Sequence, residues 1–133
     1  MAGPALSPAL VVEANLREAM RAYSVVTPAG EAREYPGVTI ASSGLDFSVF
    51  NSLMLTARIE TDSELERCLT SGAVHFAARG IGWTAWLCDE LIAPSVLKRA
   101  GSLLGQRNMN TIAEPPGMLA DRVRPPGRGP API

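Results

Sequence analysis

The feature that most constrains the fold is an amphipathic helix with its own start and stop signals. Thr61 stands at an N-cap position and Glu64 follows three residues later, which is the capping-box pattern. Gly80 occupies the place that commonly ends a helix. Between them, apolar and small residues recur at the spacing of one helix face, at Leu65, Cys68, Leu69, Gly72, Ala73 and Phe76. Because such a stripe must be buried against another layer, the sequence predicts a packed domain.

Weaker signals on both sides of this helix predict the other elements. Ser7-Pro8 is a cap followed by proline at the first helical position, and Val12, Leu16 and Met20 continue at helical spacing. The predicted order is a helix over 8–23, a loop over 27–37, strands over 38–43 and about 48–58, the helix over 61–80, a strand over 83–87, a helix from Pro94 to Gly105 and a strand over 109–113.

This order, αββαβαβ, predicts an α+β fold with a mixed, mainly antiparallel sheet and helices on its faces. The length of 133 residues fits one domain, which we expect over residues 8–123. Residues 124–133 are rich in Pro, Gly and Arg and lack apolar periodicity, so we expect a mobile tail there.

Composition bounds the class of function. Hydrophobic residues make up 47% and charged residues 19%, which is the globular range. The net charge of −1 predicts no nucleic-acid partner, and no apolar run approaches the roughly 18 residues that span a membrane. One histidine and two cysteines exclude a His-rich metal cluster and a disulfide framework. The residues before position 11 lack Lys and Arg, and arginine far outnumbers lysine, so we expect a cytoplasmic bacterial protein without a signal peptide.

Five short segments, spread over about residues 13–123, carry a family resemblance. They are Glu34-Tyr35-Pro36-Gly37-Val38, Ser43-Gly44-Leu45-Asp46, Val49-Phe50-Asn51, the run from Trp83 to Asp89, and Pro116-Gly117-Met118-Leu119. In this order they resemble the N-terminal half found in a group of bacterial GNAT (acyl-CoA N-acyltransferase-like) proteins. The resemblance implies the first half of the GNAT fold, with a second half still to follow.

In that superfamily, acetyl-CoA is bound by a Q/R-x-x-G-x-G/A turn that opens a helix, so that backbone N–H groups meet the pyrophosphate. The nearest segment here begins Arg79-Gly80-Ile81-Gly82, but Thr84 stands where Gly or Ala is required. It also follows a helix and precedes a strand, which is the wrong polarity for binding an anion. We therefore expect no cofactor and no catalytic residue in this chain, and no acetyl transfer by the chain alone.

Five residues are candidates for lining a ligand cleft: Asn51, Trp86, Cys88, Asp89 and Met118. Asn51 is unusual in a strand, and it either lines a cleft or satisfies the backbone of a bulge or turn. Trp86 faces the opposite side of its strand from Trp83, so one ring fills the core and the other lines a groove or an interface, with Trp86 as the candidate for binding. Cys88 and Asp89 follow a strand end, where ligand crevices of open sheets lie.

Alternatives remain at Met118 and Cys88, whereas a single environment is expected for His75. Met118 either borders the cleft, as the resemblance implies, or anchors the last segment. Cys88 is either an inert packed thiol or the nucleophile of a pair with His75. His75 itself is expected near the edge of its helix, partly solvated.

Three hypotheses for function follow. Half of a sheet fold leaves a strand edge and an apolar face uncovered, so the first is a domain that acts as a homodimer or with a protein that carries the second half. The second is an N-acetyltransferase that uses acetyl-CoA as an assembled dimer. The third is a small-ligand binding module around Asn51, Trp86 and Asp89. Oligomeric state and acetyl-CoA binding distinguish them.

Overall fold

Three helices and a four-stranded sheet make up residues 7–110, the part of the chain that the computed structural model describes. The helices are α1 (Pro8–Val26), α2 (Asp62–Ala77) and α3 (Pro94–Gly105), and the strands are β1 (Glu31–Tyr35), β2 (Val38–Ser42), β3 (Asn51–Leu55) and β4 (Thr84–Trp86). The strand order is β1-β2-β3-β4, with β1, β2 and β3 antiparallel and β4 parallel to β3. The predicted α+β fold with a mixed sheet is thus confirmed.

The prediction of a loop over 27–37 is wrong, because this segment contains β1. Pro36 and Gly37, which look like loop residues, form the two-residue turn between β1 and β2, and Tyr35 pairs with Val38 across it. Gly37 has a φ of +83°, a conformation that glycine adopts without strain. Over residues 7–110 the element order is therefore αβββαβα.

The ends of the other helices and strands lie within three residues of the predicted ones, whereas two predicted strands differ more in their extent. The strand expected over about 48–58 covers only Asn51–Leu55, because a 3₁₀ turn at Ser48–Phe50 comes before it. In the strand expected over 109–113, residues 109 and 110 are not in a strand. The rest of that strand, the predicted domain end at 123 and the tail over 124–133 lie outside the described residues.

The signals that delimit α2 are confirmed in atomic detail. The Thr61 hydroxyl accepts a hydrogen bond from the Glu64 N–H at 3.2 Å. The Glu64 carboxylate reaches back one residue further than a standard capping box and accepts from the Glu60 N–H at 2.8 Å. At the other end, Gly80 has a φ of +65° and Ile81 N–H donates to the Phe76 carbonyl, which is the Schellman pattern.

The sheet has a helix layer on each face, and the two layers differ in chemistry. On one face, α2 and α3 bury an apolar core that includes Ile40, Leu53, Leu69, Phe76 and Val96. On the other face, α1 contacts β1 and β2. The residues of α1 that are buried are Glu13 and Ser24, whereas Tyr23 is 65% exposed. The buried residues of α1 are thus polar, while its large apolar residues from Leu10 to Met20 are half-buried and those of its last turn are exposed.

Candidate functional site

Asn51 lies at the start of β3 and is fully buried. Its Oδ1 accepts hydrogen bonds from the N–H and the hydroxyl of Ser43, at 3.0 and 3.1 Å. Its Nδ2 donates to the carbonyl groups of Leu45, Phe47 and Gly82, at 2.7, 3.2 and 3.0 Å. These contacts occupy both ends of the amide. The geometry therefore corresponds to the second alternative for Asn51, a residue that satisfies the backbone of a turn.

Trp86 ends β4 on the face that α1 covers, while Trp83 stacks on Phe76 in the apolar core at a ring distance of 5.5 Å. The predicted opposite facing of the two indoles is thus confirmed. The Trp86 Nε1 is buried and has no hydrogen-bond partner within the described residues. Glu13 Oε1 on α1 and Ser52 Oγ on β3 are also buried without a hydrogen-bond partner among these residues. The contact between α1 and the sheet therefore contains several unsatisfied polar groups, which weakens it.

Cys88 and Asp89 follow β4 at the opposite end of the parallel pair from Asn51. The register pairs Ser52 with Thr84, so Asn51 lies level with Trp83. Five residues separate that level from Cys88, or roughly 16 Å of strand. The structure thus does not bring Asn51 together with Cys88 and Asp89. Met118 lies outside the described residues.

Neither cysteine of the chain has the environment of a nucleophile. Burial raises the pKa of the Cys68 thiol and of the Cys88 thiol, which disfavours the thiolate. Nearby Glu13 raises the pKa of Cys88 further. His75 contacts β1, at the other edge of the sheet from the strand that leads to Cys88. Three inter-strand steps, or roughly 14 Å, separate these edges, so the two residues do not form a pair.

The prediction that His75 is partly solvated is wrong, since the residue is 5% exposed. It lies against Glu31 of β1, with its Nε2 3.8 Å from Glu31 Oε1. Burial lowers the pKa of His75, and the charge of Arg79 lowers it further, so the neutral imidazole is favoured. Hydrogen bonding to Arg79 lowers the pKa of Glu31 to about 2, and Arg33 contributes.

The Glu31–Arg79 ion pair separates two surface cavities. One, of about 540 Å³, is lined by residues of α2 and by Tyr35. The other, of about 300 Å³, is lined by Glu31 together with Ser42, whose buried Oγ has no partner in the described part of the chain. No sequence motif indicates this cluster, because its members come from a strand that looks like a loop and from the C-terminal end of α2. The one local signal is the spacing of His75 and Arg79, four residues apart where α2 ends.

The segment from residue 79 to 82 has no free backbone donors to offer a phosphate group. Gly80 N–H donates to the Ala77 carbonyl, and Ile81 N–H donates to the Phe76 carbonyl, both within the cap of α2. Gly82 N–H donates to the carboxylate of Asp46 at 3.4 Å. The segment therefore lacks the donor arrangement of an anion-binding turn.

Residues 7–110 contain neither a cluster of metal-ligating side chains nor a membrane-spanning helix. No three His, Cys, Asp or Glu side chains lie together there as a metal ion would require. No helix in that range is long and apolar enough to cross a membrane.

Comparisons of the chain with protein-family models, with curated proteins and with solved structures found no match.

Proposed function

We propose that this chain is a GNAT-like domain that performs no acetyl transfer by itself and acts by associating with a second copy. The observation that carries this proposal is an exposed apolar surface at one end of the sheet. It combines the last turn of α1 with the loop between β2 and β3. We name it the association surface, and its residues are Tyr23, Val25, Val26, Leu45, Phe47, Val49 and Phe50.

The association surface is a cluster and not a scatter of single side chains. Seven of the ten large hydrophobic residues exposed within the described range belong to it. The two segments that form it lie side by side, because the Thr27 hydroxyl at the end of α1 donates to the Ser43 carbonyl at 2.7 Å. The rings of Phe47 and Phe50 are 5.4 Å apart. Clusters of this kind on a protein surface are typical of interaction sites.

Composition and charge favour a second copy as the occupant. Aromatic residues are enriched at protein interfaces, and three of the seven residues are Tyr or Phe. The segment from residue 44 to 50 carries a single charged side chain, Asp46, and residues 22–28 carry none. With a net charge of −1, two copies repel each other only weakly. A two-fold axis would place the same apolar surface on both sides of the interface.

The absence of acetyl transfer is supported by the hydrogen bonds of residues 80–82, which leave no backbone donors for a pyrophosphate. The GNAT-like order of segments supports a shared ancestry of the fold without its cofactor turn.

Sedimentation velocity on the full chain tests the association. We expect a species of twice the 14.0 kDa chain mass at concentrations on the order of 100 µM, as a micromolar dimer requires. The double variant Phe47→Ser/Phe50→Ser is expected to sediment as a monomer, because both rings are about half exposed and their loss leaves the core intact.

The matched control is Leu97→Ser, which removes an exposed apolar side chain from α3 and should remain dimeric. A monomeric wild-type chain, or a double variant that still dimerises, would contradict the proposal. Calorimetric titration with millimolar acetyl-CoA tests the second part of the proposal, that the chain alone performs no acetyl transfer, and we expect no heat of binding.

A further inference from the structure

The cavity of about 540 Å³ beside α2 is a groove whose charged lining residues are both arginines, Arg67 and Arg79. Arg79 is balanced by Glu31, whose carboxylate also lies 3.8 Å from His75 Nε2. Arg67 has no ion-pair partner among residues 7–110, so it is the unbalanced charge of the groove. The groove therefore favours a negatively charged occupant.

Both arginines are held in place by backbone carbonyl groups. Arg67 Nη1 donates to the Pro36 carbonyl at 2.9 Å, and Arg79 Nη1 donates to the His75 carbonyl at 2.8 Å. A guanidinium has five N–H donors in a fixed fork, so each side chain keeps donors that no described residue uses. Fixing the fork before a ligand arrives lowers the entropy that binding costs.

Neutral groups around the two guanidiniums complete the groove. The Thr70 hydroxyl accepts a hydrogen bond from Arg107 at 2.7 Å, which leaves its own proton free to donate. The buried His75 also lines the groove, and its Nε2 has no hydrogen-bond partner in the described structure. Val74, 65% exposed, and Tyr35 provide apolar surface beside these polar groups. The groove thus combines a cationic end with room for an apolar group.

We propose that this groove binds a small organic oxyanion, a phosphate monoester or a carboxylate. Arg67 binds the oxyanion in a bidentate geometry, and the Thr70 hydroxyl, three residues along α2, donates to it. Arg79 is anchored at Glu31, which lies five residues, or roughly 16 Å of strand, from the Pro36 that anchors Arg67, so it does not bind the same small anion. The apolar body of the ligand lies against Val74 and Tyr35. None of the residues that line the groove belongs to the association surface, so the inference does not depend on the proposed function.

NMR titration of the ¹⁵N-labelled full chain tests this inference, with phenyl phosphate and benzoate as the two organic probes. We expect either anion to shift the amide signals of residues 67–79. Arg67→Gln should weaken that binding by at least about tenfold, because it removes charge-assisted hydrogen bonds. Val74→Asp, at an exposed position where folding is not at risk, should abolish it by placing a carboxylate in the groove.

Arg58→Gln is the matched control, since Arg58 is an exposed arginine that is paired with Glu60 and does not line the groove. It should bind phenyl phosphate as the wild-type chain does. Unchanged affinity in Arg67→Gln, or an equal loss in Arg58→Gln, overturns the site. Equal binding of neutral benzyl alcohol overturns the role of charge, and equal binding of inorganic phosphate overturns an organic ligand.

Discussion

Replacing Asn51 by alanine should cost about 3 kcal/mol of folding free energy. The substitution removes all five hydrogen bonds of the buried amide. The carbonyl groups of Leu45 and Phe47 still accept hydrogen bonds from the N–H groups of Phe47 and Phe50, so losing the amide costs them little free energy. The N–H and the hydroxyl of Ser43, both buried, lose their acceptor, whereas Gly82 is exposed and water can replace the amide at its carbonyl. An unsatisfied buried group costs about 1–3 kcal/mol, so the two groups of Ser43 cost about 2–6 kcal/mol together.

Urea unfolding followed by circular dichroism measures this change. The control is Asn15→Ala, the same substitution at an exposed position of α1, which should leave stability unchanged or raise it by up to about 0.7 kcal/mol. If Asn51→Ala destabilised the chain by less than about 1 kcal/mol, the amide would not hold the turn, and its place in a ligand site would have to be reconsidered.

Further predictions concern the packing of glycines and the pKa shifts of two acids. In Gly72→Ala the new Cβ would lie 2.7 Å from the Trp83 ring, and this overpacking should cost roughly 1–3 kcal/mol of folding free energy, against a gain of about 1 kcal/mol in helix propensity. The new Cβ of Gly101→Ala meets no atom within 4 Å, so this variant should be more stable than wild type, and denaturant unfolding compares the two. Burial raises the pKa of Glu13, so Glu13→Gln should be more stable than wild type at pH 7, and this gain should vanish below pH 4.5. The pKa of Glu31 is shifted in the opposite direction, down to about 2, so Glu31→Gln should be less stable than wild type at pH 7. This loss of stability should shrink as the pH falls from 4.5 toward 2. Parallel pH dependence of the two variants in thermal unfolding would contradict this assignment.

The sequence predicted best those elements whose signals are local. The cap, the apolar stripe and the terminal glycine of α2 all lie within twenty residues of one another, and each acts on its own turn of helix. Strand β1 was missed because Glu31–Tyr35 has no apolar alternation. As an edge strand with exposed residues, it is held by pairing with β2 and not by burial of its own side chains.

Long-range contacts decided what the sequence left open. Asn51 was correctly singled out as unusual in a strand, but one of its partners, Gly82, lies 31 residues away. Helical spacing predicted α1 without predicting which side faces the sheet. Glu13 and Ser24 are buried there, and no local pattern indicates that these two polar residues are buried more deeply than the apolar residues of the helix.

The two edges of the sheet suggest where a second copy would not bind. The outer edge of β1 carries Glu31, Arg33 and Glu34 within five residues, and charged side chains on an edge strand oppose pairing with another strand. Strand β4 is neutral but only three residues long, which offers few hydrogen bonds. Continuous pairing of sheets is therefore a poorer route to association than contact between apolar side chains at the end of α1. Contact of that kind also leaves β1, and the cationic groove beside it, open to solvent.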